Sequence, residues 1–126
     1  MLYTRRVKII KMTLPELITE YKDQVIICSE ISYSDKQSVN KNNVAVKRMY
    51  EIIGIINSQF GPDGVIEFSK LLNVKDNNTY IWAAPQLLEK MNSTQEIKEK
   101  ALRIIREVAK EDNARGIGFR HWLKQY

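Results

Sequence analysis

The chain has 126 residues, 44% of them hydrophobic and 28% charged, which suits one globular domain and excludes a disordered segment. No run of about 18 apolar residues occurs, so no membrane-spanning helix is expected. The net charge of +5 does not mark a nucleic-acid surface: Arg5, Arg6, Lys8 and Lys11 stand in an acid-free stretch, leaving residues 13–126 with 16 of the 20 basic side chains against all 15 acidic ones.

Residues 1–12, MLYTRRVKIIKM, read as a basic, flexible leader. Their apolar run at Val7, Ile9 and Ile10 is too short for a signal-peptide core, and no small-residue cleavage site follows. Residues 13–126 read as a single helical domain. Cys28 is the only cysteine and His121 the only histidine, so neither an internal disulfide nor a zinc cluster is expected. A cytoplasmic location is compatible with that cysteine usage.

The first helix has a start signal at Thr13-Leu14-Pro15-Glu16, where Thr13 and Glu16 stand at capping-box positions. Leu14, Leu17, Ile18, Tyr21, Val25 and Cys28 then recur at helical spacing, and Cys28 reads as a buried structural thiol. The second helix is capped by Ser34 or Asp35 and runs to Phe60. Its stripe is Val46, Met49, Tyr50, Ile53, Ile56 and Phe60, and Gly54 suggests a close helix crossing. Gly61-Pro62-Asp63-Gly64 ends that helix and starts a third, which reaches about Leu72.

Asn73 to Asn78 is a polar turn. The fourth helix carries Tyr80, Ile81, Ala84, Leu87 and Leu88 on its apolar face, with the small pair Ala83–Ala84 allowing close approach. Pro85 predicts either a kink or a start later than Thr79. Ser93-Thr94-Gln95-Glu96 reads as a second capping box, opening a fifth helix with Ile97, Ala101, Ile104, Ile105 and Val108 inward and a charged face outward. Asp112 or Asn113 caps the sixth helix, with Ile117, Phe119, Trp122, Leu123 and Tyr126. Gly116 and Gly118 there fit a tight packing on the fifth helix. The expected fold is all-α, about six helices in antiparallel pairs near 30 residues long, the period of a helical-repeat stack.

LLNVKDNNTYIWAAPQLL and ALRIIREVAKEDNARGIGFRHWLKQY, with KNNVAVKRMYEIIG upstream, resemble the small HEAT-like family filed as a domain of unknown function, DUF2019. The resemblance rests on Asp76 in the turn, on Ala83–Ala84, and on the closing Leu123, Lys124 and Tyr126, and it covers about residues 14–126. Thr79-Tyr80 stands where the family's turn is followed by Val-Arg, and Phe119 replaces a small residue. The resemblance implies a short HEAT-like α-solenoid without catalytic residues or cofactor. Because such relatives are often found beside bacterial polymorphic toxins, it also implies an immunity-like protein that binds and inhibits a toxin domain. The alternative is a helical-repeat protein that cradles nucleic acid, which the near-neutral charge of residues 13–126 does not favour.

No phosphate loop or isolated carboxylate pair is present, and His121 with Asp112 or Glu111 lacks a nucleophile or metal set to join it. No catalytic, cofactor or metal site is therefore expected. The residue of most interest is Trp82, which lies off the main stripe of its helix with Gln86 and Glu89. In a helical stack the second helices of successive pairs line the inner curve, so Trp82, Gln86, Arg120 and Lys124 are expected to share a partner-binding face, with His121 beside them. An exposed Trp with Arg is hot-spot chemistry. The competing reading packs Trp82 under the second or sixth helix.

Overall fold

A computed structural model describes residues 12–126. The expected basic leader lies outside the described residues but for Met12. Among them the fold is all-α, with no strand. The helices are α1 (Leu14–Ser29), α2 (Lys36–Ile55), α3 (Gly61–Ser69), α4 (Thr79–Glu89), α5 (Gln95–Val108) and α6 (Ala114–Gln125).

Local chemistry sets each start. Thr13 caps α1 by the reciprocal box: its hydroxyl accepts from the Glu16 amide at 3.2 Å, and its own amide donates to the Glu16 carboxylate at 2.8 Å. Asp35 caps α2 by accepting from the Gln37 amide at 3.0 Å. The capping box expected at Ser93 does not form, and a simple cap stands one residue later. Thr94 is the cap, accepting from the Ile97 amide, because the Ser93 hydroxyl instead donates to the Leu87 carbonyl at the end of α4. Asn113, not Asp112, caps α6 through the Gly116 amide at 2.8 Å.

The second helix does not stay α-helical to Phe60. It passes at Ile56 into a five-residue π-turn, Ile56–Phe60, and Gly61 then turns the chain at φ +59°, a conformation that strongly favours glycine. After α3 the chain tightens into a 3-10 turn, Lys70–Asn73. A second 3-10 turn, Asp76–Asn78, places Asn77 and Asn78 at positive φ, which short amide side chains tolerate better than most. The helix α4 begins at Thr79 despite Pro85 inside it. The expected later start is not observed, and Ile81 is left without residue 85 as an amide partner.

One apolar cluster holds the helices together. It joins Leu17, Tyr21 and Val25 of α1, Met49, Ile52 and Ile53 of α2, Val65 and Phe68 of α3, Ala83, Ala84 and Leu87 of α4, and Ala101 and Ile105 of α5. Sequence neighbours pack as spatial neighbours: α1 on α2, the segment after α3 on α4, α4 on α5, and α5 on α6. Cys28 is buried, and burial pushes its thiol up. Gly116 packs against the turn that joins α5 and α6, not on the expected fifth helix, because a Cβ there would lie 1.9 Å from the Glu111 carbonyl oxygen. Gly54 and Gly118 sit in open space with nothing within 4 Å of such a Cβ. The close crossing expected at Gly54 is therefore absent; the buried side of α2 is Ala45, Met49, Ile52 and Ile53.

Candidate functional site

The helix α4 buries Ile81, Ala83, Ala84, Leu87 and Leu88. Residues three, four and seven apart lie on one helix face, so Trp82, Pro85, Gln86 and Glu89 line the opposite side together. On α6 the same arithmetic groups Arg115, Phe119 and Trp122. Between these two rows, with Tyr50 of α2 closing the third side, lies a groove of about 430 Å³. It is thus lined by α2, α4 and α6, the second helix of each successive pair.

The walls are mostly aromatic. Trp82, Phe119 and Trp122 pack partly buried against the core, while Tyr50 is 49% exposed. Periodicity places Tyr50 on the core stripe of α2. It lies one residue beyond the buried Met49, about 100° around the helix, and so faces the groove. Ile117 is likewise exposed instead of buried. The Trp122 ring stacks on Tyr126 with centroids 4.8 Å apart, and its indole N–H donates to Glu89 Oε1 at 3.2 Å. That bond ties the last helix to the end of α4.

The charges on the groove are unequal in their freedom. Arg115 donates to Glu111 Oε1 from Nη2 at 2.8 Å and from Nε at 3.2 Å. Its guanidinium, with Asn113, holds the Glu111 carboxyl below the usual carboxylate range. Glu89 has no ion pair among the described residues. Lys90 makes no ion pair with it either, its ammonium lying 5.9 Å from the centre of the Tyr50 ring.

The structure brings Trp82 and Gln86 together on the groove but separates them from the other expected residues. Gln86 is only 6% exposed, and its side-chain oxygen accepts from the Tyr21 hydroxyl at 2.8 Å. It forms part of the wall while its amide is committed to the interior. Arg120 reaches back to the end of α5, donating to the Ala109 carbonyl at 2.6 Å and the Glu111 carbonyl at 3.1 Å. Those carbonyls have no helical partner, so Arg120 caps α5. His121 and Lys124 are exposed, outside the groove lining. His121 lies 3.2 Å from Gln125, and the Glu111 carboxylate considered as its orienter is engaged by Arg115 and Asn113.

Sequence reasoning missed Tyr50, Arg115, Phe119 and Trp122 as groove residues. The signal was present for α6, where positions 115, 119 and 122 follow the helical repeat. A larger hollow of about 750 Å³ lies between α1 and the start of α2, where Gln24, Asp35, Lys41 and Val44 are among its lining and no aromatic ring is. No cluster of three or more metal-ligating side chains occurs among the described residues, and no helix there is long and apolar enough to cross a membrane. The chain matches no protein-family model, no curated protein and no solved structure.

Proposed function

We propose that this chain is a non-catalytic protein-binding module whose partner seats in the groove between α2, α4 and α6. The observation that carries this reading is the convergence of Tyr50, Trp82, Phe119 and Trp122 from three helices on one open surface. Large rigid rings lose little conformational freedom on contact and supply most of the energy where interfaces have been dissected. The near balance of charge over residues 13–126 supports a protein partner over a polyanion. The narrower reading is an immunity-like inhibitor of a toxin domain in the bacterial cytoplasm. It rests on the resemblance to DUF2019.

Site-specific photo-cross-linking tests the proposal. A benzophenone amino acid in place of Tyr50, in the cells that express the chain, is expected to trap one discrete protein. The same group in place of the exposed Arg106 on α5 is expected to trap none. A nuclease-sensitive adduct at position 50 would favour the nucleic-acid alternative, and equal adducts at both positions would contradict the groove as the binding face.

A further inference from the structure

The proposal of a partner-binding groove leaves open what chemistry enters it, and the charges on its walls narrow the choice. Among the residues lining it, Glu89 is the only carboxylate and Arg115 the only cation. The cation is neutralised in place by Glu111, through two bonds to one oxygen. The carboxylate has no ion pair among the described residues. Its single described partner is the Trp122 indole N–H on Oε1, which leaves Oε2 and the remaining lone pairs of Oε1 open. Lys90, the next residue, makes no ion pair with Glu89; its ammonium lies 5.9 Å from the centre of the Tyr50 ring at the edge of the groove. An exposed carboxylate is thus held by the Trp122 indole N–H in a groove that Trp82 and Phe119 also line.

A carboxylate in an aromatic-lined groove is complementary to a cation with flat apolar faces. Ring faces attract positive charge through their quadrupole, and the carboxylate takes the hydrogen bonds. A guanidinium meets both demands at once: it stacks on a ring while its planar fork of N–H groups donates to both carboxylate oxygens. An ammonium is a point charge that holds its water more tightly and does not stack. The geometry points to an arginine side chain of the partner protein, inserted among the aromatic rings that line the groove and bonded to Glu89, as the group this groove recognises. This inference rests on the groove being the partner-binding face.

The chain has only two tryptophans, Trp82 and Trp122, so both indole N–H signals in an amide correlation spectrum report from the site. Full-length protein is titrated to high millimolar concentration with four blocked amino acids: acetyl-arginine, acetyl-lysine, acetyl-glutamine and acetyl-leucine methylamide. The arginine probe is expected to shift both signals saturably, at a midpoint at least about tenfold lower than glutamine, with lysine between them. Glu89→Gln keeps an acceptor for the Trp122 indole and removes the charge. It is expected to bring the arginine midpoint to that of glutamine, and added salt is expected to weaken arginine alone.

Equal midpoints for arginine, glutamine and leucine would overturn the arginine preference and leave the groove as a docking face. Silence from all four probes, with a protein still trapped from position 50, would also overturn the preference alone. Failure of that cross-link would instead count against the docking face itself.

Discussion

The Tyr21 hydroxyl and the Gln86 side chain meet in the core 65 residues apart in sequence, joined by a 2.8 Å hydrogen bond. The bond fixes α1 against α4. It turns Gln86 inward, and by helical geometry it sets Trp82 and Glu89 on the groove side. Burial pushes the Tyr21 hydroxyl far above its usual range. The Tyr21 ring also packs edge-on against Phe68 of α3, with centroids 4.9 Å apart.

Removing one partner strands the other. Tyr21→Phe leaves the Gln86 oxygen buried without a donor and is expected to cost about 1–3 kcal/mol. Gln86→Met is expected to cost a similar amount, and the double variant less than the sum of the two. Urea unfolding of the four proteins gives the coupling directly, and strict additivity would mean that the bond contributes nothing.

Two glycines on one helix are expected to respond in opposite directions. Gly116→Ala drives a methyl into the Glu111 backbone oxygen and is expected to destabilise by about 1–3 kcal/mol. Gly118→Ala meets nothing within 4 Å and is expected to stabilise α6 by about 0.5–1 kcal/mol. Thermal melts of the two variants give the signs.

The Glu20–Arg48 pair governs part of the acid response. Arg48 donates to both Glu20 oxygens, and that hydrogen bonding holds the Glu20 carboxyl below its ordinary value near 4.5. A carboxylate lowered in the folded state stabilises fully above the unfolded value and stops doing so as pH falls through the folded one. Glu20→Gln is therefore expected to lower stability at pH 7 by about 1 kcal/mol or less, the pair being partly exposed. That difference should shrink as pH drops below 4.5. Urea midpoints measured against pH for both proteins check it.

Arg120 is expected to act on stability and not on binding. Arg120→Ala strips the Ala109 and Glu111 carbonyls of their side-chain donor and is expected to cost about 1 kcal/mol. Affinity for a partner trapped through the groove should stay unchanged. A large loss of affinity at unaltered stability would return Arg120 to the binding face.

The fold was largely legible because most segments carry a stripe and a cap. Thr13–Glu16 and the α4 stripe around Ala83–Ala84 were read directly from spacing. What spacing could not settle was rotation by one residue, as at Tyr50, and side-chain reach over distance. Arg120 and Trp82 have the residue types of an interface, but only three-dimensional placement separates the arginine that closes a helix end from the tryptophan that lines the groove. Gln86 is expected on the binding face but turns inward, because its partner Tyr21 lies in another helix and leaves no local trace. Glu89 stood in the same pattern as Trp82, whereas its bond to Trp122 depends on how α6 returns across α4.

The affinity of the partner trapped at position 50 for wild-type protein and for Trp82→Ala and Trp122→Ala is the decisive quantity. Isothermal calorimetry, with urea unfolding in parallel, is expected to show each variant losing at least about 2 kcal/mol of binding, with any stability loss too small to unfold the chain. Undiminished affinity in both folded variants would contradict the groove between α2, α4 and α6 as the surface this protein offers to its partner.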